Sequence, residues 1–327
     1  MTPSITVVLP TYNSAATLEL ALASLAAQRY DGAVDVLCID GGSADGTRAL
    51  AERFGASWLE NPLRVEEEGR AVGLEAAAGE LVLFLDADDE LPHPDWLTRH
   101  AAALELADDV VSADPLYGEW RASDRALTRL YALVGGTDPL AIELGFADRW
   151  AWHRGRWTGM PGVEEEDAGD ALLVRIDPDR PPPMGSNGWL VRRSEVLRTQ
   201  YRPFVHSDVV GDLAALGFRF ARVKDGFVHH YADNLWRYAQ KARRHAERAV
   251  RGEPPQRRGF RPSRLQLSVQ AVSSIFIIGP SLKAIRGYKR KHDRAWALYP
   301  VISWLTTFHY GLAALRSITR RHAKTDL

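Results

Sequence analysis

The sequence predicts an α/β fold, a doubly wound and largely parallel sheet followed by a basic, partly apolar helical extension. Three observations carry this. Over the first ninety residues, short apolar or β-branched runs alternate with helically spaced segments, and each run stops on a polar turn. Parallel neighbours need crossover helices, so this alternation reads as successive strand–helix–strand units. The charge, finally, divides along the chain: residues 231–327 hold 20 lysines and arginines against 5 acids, a net of +15, while residues 1–230 hold 21 against 37, a net of −16.

Each element has its own justification. SITVVLPTY is a β-branched first strand, and SAATLELALASLAAQ follows with helical spacing and Ser14 as a cap. VDVLCID is the second strand, and GGSADGT makes a turn of glycines and short polar residues before the helix TRALAERFG. ASWLEN is a weaker third strand, GRAVGLEAAAG a third helix and ELVLFLD a fourth strand. Ligands of such sheets bind beyond the carboxyl ends of the strands, which here read PTYN, IDGGS and LDADDE. From 115 to 185 the pattern dissolves into Trp, Gly, Pro and acids, which suits an active-site or acceptor loop as well as a set of tryptophan core anchors. Order returns with GWLVRRSEVLRTQ, strand into helix, and VVGDLAALGFRFARV, helix into strand. The expected organisation is a catalytic domain over 1–230 and an extension over 231–327.

The 327 residues, 46% hydrophobic and 25% charged, exclude general disorder. Cys38 is the sole cysteine and forms no internal disulfide, and the N-terminal segment lacks the basic flank and long apolar run of a signal peptide, so a cytoplasmic setting is expected. In the extension, DNLWRYAQKARRHAERAVRG reads as a basic helix and PPQRRGFRPSR as its exit loop. Two apolar segments follow, 265–285 and 295–315; the second is about long enough to span a bilayer and the first is too polar to do so comfortably. A spanning hairpin would put the basic RGYKRKHDR on the far side, against the positive-inside rule. Segments that lie on or dip into the cytoplasmic face of the membrane, held by apolar burial and attraction to anionic lipid, are the expectation.

The run ELVLFLDADDELP ends on Asp86, Asp88 and Asp89. Carboxylates at alternate positions beyond a strand end suit a hard divalent cation, Mn2+ or Mg2+, bound together with substrate phosphates. The same acids are also consistent with an ordinary solvated strand end.

Several stretches together resemble the family 2 glycosyltransferases of the GT-A fold. VVLPTYN with ASLAAQ is similar to the family's nucleotide-site signature, CIDGGSADGT to its second-strand motif, and GRAVGLEAAAGELVLFLDADDELP to its helix and Asp-x-Asp stretch. The resemblance is close over 4–95 and looser over 185–235, and it departs at Ala71, where the family usually has Asn after the Arg. It implies inverting transfer from a nucleotide-diphosphate sugar, with Pro10, Thr11, Tyr12, Asn13, Asp40, Gly42, Ser43, Arg70, Asp86 and Ala87 at the nucleotide-sugar site. Asp86 and Asp88, with His229 or His230, are the implied metal ligands. Adjacent histidines on a strand face opposite ways, so at most one of them serves. FVHSDVVGDLAALGF matches the stretch that supplies the base, with Asp208 the choice and Asp212 the alternative; His206-Ser207-Asp208 stands where the family has Glu-Asp. GSNGWLVRRS brings Asn187, Gly188 and Trp189 to the acceptor side, and Arg64 is a further diphosphate candidate. The expected partners are a nucleotide-sugar donor, a lipid-linked or glycan acceptor and an anionic membrane surface, with no nucleic acid. A soluble acceptor, or a catalytically silent membrane-surface or scaffold role, are the alternatives.

Overall fold

The computed structural model describes residues 1–259 and 262–325, with no account of the side chains of Arg264 and of 318–325. The chain divides into two compact units: Met1–Glu119 with Pro161–His230, and Trp120–Met160 with Tyr231–Leu327. The stretch 115–185 is therefore not one irregular region. Its middle, 120–160, belongs with the C-terminal unit, and both flanks belong with the sheet.

The first unit opens with β1 (Ile5–Thr11), α1 (Ala15–Ala26), β2 (Val34–Asp40), α2 (Thr47–Arg53), β3 (Ser57–Glu60), α3 (Glu66–Ala76) and β4 (Leu81–Phe84). Next come β5 (Asp89–Glu90), α4 (Trp96–Ala103) and β6 (Val110–Gly118). The second unit holds α5 (Ala126–Val134) and α6 (Pro139–Glu143), and the chain returns to the first as β7 (Val163–Asp167), β8 (Ala171–Ile176), β9 (Trp189–Arg192), α7 (Arg193–Val196), α8 (His206–Ala215) and β10 (Arg219–His229). The strands lie in the order β3-β2-β1-β4-β9-β6-β10-β8-β7, with β5 paired to β10. β3, β2, β1 and β4 run parallel, and β9 enters antiparallel between β4 and β6, so the sheet is mixed. The wholly buried LVLF of β4 fits a central strand covered on both faces.

Two contacts fix what the site needs. Gly69 and Gly73, one turn apart, let α3 lie directly on β1: a Cβ at Gly73 would stand 2.3 Å from Val8 Cγ1, and one at Gly69 would stand 3.3 Å from Pro10 Cβ. This close approach carries Arg70, between them, to the end of β4. Phe84, the last residue of β4, stacks on Trp189 at 5.6 Å and meets Phe204 at 4.8 Å, which brings the segment leading into α8 to the same strand end.

The second unit closes with α9 (Leu235–Arg251), α10 (Arg264–Ile275), α11 (Ile278–Arg290), a 3-10 turn over Arg294–Leu298 and α12 (Tyr299–Thr325). Its core gathers Leu130, Leu133, Ile142, Tyr238, Trp296 and Tyr299. The apolar segment 295–315, expected to be about long enough to span a bilayer, instead builds the turn and α12 of this unit. Tyr299 and Ile302 are buried, Tyr299 donates to Glu143, Tyr310 donates to Asp138 at 2.7 Å, and Thr306 bonds Tyr238 at 2.8 Å. Among the described residues no single helix is long and apolar enough to cross a membrane. Of the exit loop 254–264, residues 260 and 261 lie outside the described residues, as do the side chains of the basic end from 318 onward.

Candidate active site

The carboxyl ends of β1, β2 and β4 form one edge. Thr11 and Asp40 face each other as the last residues of β1 and β2, and the Thr11 hydroxyl donates to Asp40 Oδ1 at 2.9 Å. Asp40 also accepts from the Ser43 hydroxyl at 2.6 Å and, on Oδ2, from the amides of Gly42 and Ser43 at 2.8 and 2.7 Å. Four bonds fill the ordinary capacity of a carboxylate. Asp40, expected to contact the nucleotide base, is occupied in folding the GGS turn, and buried.

Around that turn, Asn13 adopts a left-handed φ of 49°, takes the amide of Ala44 on its side chain at 2.9 Å and donates its own amide to Ser43 Oγ at 2.7 Å. Tyr12 projects outward, 62% exposed. Its ring lies 3.5 Å from where a Gly41 side chain would start, and the Arg64 guanidinium lies 3.4 Å from the same point on Gly42. An exposed aromatic, two bare glycines and an arginine make a stacking and phosphate surface of the kind a nucleotide uses. Pro10 is half-buried under α3, and Ala87 is buried between the acids.

At the end of β4 the acids separate into two groups. Asp86 accepts from Arg70 Nη2 at 2.8 Å on Oδ1 and from Asn187 Nδ2 at 2.6 Å on Oδ2. Arg70 is buried, donates to the Ser186 carbonyl at 2.8 Å and pairs with Glu66 through Nε at 3.1 Å. Burial pushes the Asp86 carboxyl up to about 7 against the pull of Arg70, with Glu66, Asp89 and Asp88 adding to the rise. Burial works against the arginine's charge too, yet Asp86, Glu66 and Asp89 hold its pKa above the ordinary value.

The second group is Asp88, Asp89 and His229, whose candidate ligand atoms all lie within 4.8 Å of one another. The antiparallel pairing of β5 with β10 sets His229 opposite Asp89. His229 Nδ1 bonds Asp89 Oδ1 at 2.5 Å and lies 3.7 Å from Asp88 Oδ1. Asp89 is fully buried and also accepts the amide of Asp86 at 2.9 Å, while Asp88 is partly exposed. Burial pushes Asp89 up in pKa, opposed by His229. The next residue, His230, turns the other way and pairs with Glu90 at 3.1 Å. Two carboxylates and an imidazole suit a borderline divalent cation, and Mn2+ accepts this mixed oxygen and nitrogen set more readily than Mg2+.

A model of glycosyl transferase family 2 matches residues 6–152. This segment belongs to that family. Within it lie the β1, β2 and β4 edge and the three aspartates of LDADDE. Glycosyltransferase AglE of Haloferax volcanii is 31% identical over 109 residues, 31% of this chain and 36% of that protein. An N-acetylglucosaminyltransferase of Mesorhizobium japonicum is 34% identical over 140 residues, 40% of this chain and 32% of that protein. The chain thus spans about a third of the length of these curated relatives. The structure is similar to mannosyltransferase PcManGT from Pyrobaculum calidifontis, solved in complex with GDP-Man and Mn2+, with a TM-score of 0.53 and 18% identity over 97% of this chain and 88% of that one. That likeness extends the fold, the mixed sheet with its C-terminal helices, over nearly the whole chain.

Set on this family frame, several residues take places other than those expected. Asp86 stands outside the cluster of Asp88, Asp89 and His229, and its two oxygens each accept one bond, from Arg70 and from Asn187. Asp89 is in the cluster as the buried partner of the His229 ring. Asn187, expected on the acceptor side, bonds the donor-side acid. Gly188 donates its amide to the Phe84 carbonyl at 2.9 Å, and Trp189 is fully buried against Phe84, so it seats the strand and cannot line an acceptor surface. Asp208 lies buried in the first turn of α8, four residues beyond Phe204. Asp212 accepts the amide of Gln200 at 3.1 Å and so braces the preceding turn. Arg202 in that turn forms a bidentate pair with Glu75 of α3, at 2.8 and 2.7 Å, which joins the α8 entry to the helix that carries Arg70.

Proposed function

We propose that the chain is an inverting glycosyltransferase that moves a sugar from a nucleotide-diphosphate donor to a hydroxyl or phosphate acceptor, lipid-linked or part of a surface glycan, at the cytoplasmic face of the membrane. The observation that carries this reading is the Asp88, Asp89 and His229 group together with the Tyr12, Gly42 and Arg64 surface, beyond the carboxyl ends of the parallel strands β1, β2 and β4, in a segment that a glycosyltransferase family model matches.

The residues divide the work. The base of the nucleotide stacks on Tyr12, and Arg64 meets the diphosphate. Asp88 and His229 would hold Mn2+ or Mg2+, and the ion would supply positive charge to the leaving diphosphate. Asp89 fixes the orientation of the His229 ring, and Arg70 with Asn187 fixes Asp86 facing the donor. Asp208 takes the acceptor proton on the face opposite the departing group. The acceptor is read as lipid-linked because the second unit combines basic helices with exposed apolar residues.

A thermal-shift screen of UDP, GDP, ADP, CDP and dTDP with and without Mn2+ tests the donor site. The expectation is a rise in Tm for one or two of them that requires the metal. No shift with any nucleotide would overturn the donor reading. Asp208→Asn should lower turnover by at least about a hundredfold and leave nucleotide affinity within about twofold; a large loss of affinity would place Asp208 on the donor side.

A further inference from the structure

α10 and α11 meet at a bend of 77°, and the joint is apolar: Ile275, Phe276, Ile277 and Ile278 form its tip. Ile277 holds a left-handed φ of 61°, a conformation a β-branched residue adopts only under constraint, so the elbow is built rather than slack. Gly279 provides the closeness of the turn, since a Cβ there would stand 2.0 Å from Ser273 Oγ. Small residues bury the inner side of α11, where Pro280, Ala284 and Gly287 pack inward and a Cβ on Gly287 would collide with the Trp296 ring at 2.4 Å. The large residues face out. Phe276 and Ile278 are about two-thirds exposed, and Val269, Val272, Leu282 and Ile285 are more than half exposed.

Charge is distributed to match. Residues 265–282 carry no charged side chain. Beyond them come Lys283, Arg286, Lys289, Arg290 and Lys291 without an acid, and Arg286, Lys289 and Arg290 are exposed. Seven residues separate Phe276 from Lys283, about 10 Å of helix at ~1.5 Å per residue. The α10 arm from Leu265 to Phe276 is about 17 Å long, which is near half the ~30 Å hydrocarbon core. Neither arm alone is long enough to cross, and together they pass by length and composition only as a pair bent by 77°, the form of a broken span or a re-entrant loop.

We propose that this elbow is a monotopic wedge. It inserts its Ile275–Ile278 tip about 10 Å into one leaflet of a bilayer containing anionic phospholipid, while the collar of Arg286, Lys289 and Arg290 sits among the lipid phosphates. The inference deepens the membrane placement proposed above, and it selects insertion into one leaflet over spanning or lying flat. The alternative occupant, a second copy of the chain, would meet the same basic collar on its partner and face like-charge repulsion.

The test uses the full chain. Cys38 is buried and its thiol is pushed up to about 12 by that burial, with Asp40 adding to it, so a cysteine introduced at the surface takes a maleimide dye selectively. An environment-sensitive dye on Phe276→Cys should shift to the blue on vesicles of phosphatidylcholine with phosphatidylglycerol. A nitroxide at a shallow acyl position should quench it, and the same dye on Leu20→Cys of α1 should do neither. Arg286→Gln with Lys289→Gln should weaken vesicle partitioning by at least about tenfold, as loss of two charges near anionic lipid requires. A protein that binds vesicles while the dye at 276 stays in water overturns the wedge and leaves membrane placement standing. Failure to bind these vesicles overturns both, and a dimer in solution that shields the dye at 276 without lipid assigns the elbow to self-association instead.

Discussion

Asp89 is the residue whose role changes most between sequence and structure. In LDADDE it looks like a spare acid beside an Asp-x-Asp pair, yet it is the fully buried partner of His229. Nothing local in the sequence reveals this, because β5 is two residues long and its register against β10 spans 140 positions. Outer partners of a metal-binding imidazole are worth roughly 10–100-fold in metal affinity. Asp89→Asn should therefore weaken Mn2+ binding by that factor in a calorimetric titration. Unchanged affinity would mean the pair is merely structural. Asp40 shows the reverse case, since a motif position readable from sequence turns out to be filled by four bonds within its own turn. Asp40→Ala leaves the buried Thr11 hydroxyl and two amides without an acceptor and should cost about 1–3 kcal/mol in chemical denaturation.

At the scale of elements, the βα alternation of residues 5–84 was legible because each strand is short, apolar and followed by a helical period. In the second half of the sheet β9 and β10 were legible in the same way, whereas β6 and β7 were not. β6 contains Asp114 and Pro115 in its interior, and β7 is the exposed edge run VEEED, so neither looks like a strand. What holds β6 to β10 is long-range: Asp114 and Arg222 face each other in register, fully buried, 3.7 Å apart. Removing one partner leaves a buried charge, so Asp114→Ala should cost about 3–5 kcal/mol. Gly73→Ala should cost about 1–3 kcal/mol, because Val8 stands where the methyl must go, and it should weaken donor binding by displacing Arg70. Arg202 holds Glu75, and Arg219 holds Asp109, below the usual carboxylate range through side-chain hydrogen bonds. A carboxyl depressed in the folded state stabilises the fold above its unfolded pKa of about 4, and that contribution is lost as pH falls through the lower folded value. The share of stability from these two pairs should be steady above about pH 5 and lost below about pH 4, and Arg202→Gln should flatten the fall of Tm below about pH 4.

Over the whole molecule, the charge division visible in the sequence does not coincide with the division into units, because the second unit also takes in Trp120–Met160. The basic end was legible from its charge counts, whereas the inclusion of 120–160 in the same unit was not, since that segment joins the second unit through tertiary contacts such as Tyr299 with Glu143 and Arg290 with the Trp152 carbonyl. Deleting the chain beyond about residue 260 would strip Trp296 and all of α12, Tyr299 included, from this core and expose Tyr238, so single substitutions at the elbow discriminate better than truncation. The central claim concerns the edge at β1, β2 and β4, and the most direct measurement is release of nucleoside diphosphate from a panel of nucleotide sugars. The account predicts turnover with one donor that requires Mn2+ or Mg2+, stops with EDTA and falls at least about a hundredfold in Asp88→Asn, as removal of a metal's charge stabilisation implies. Equal turnover in Asp88→Asn, or full activity in EDTA, would contradict it.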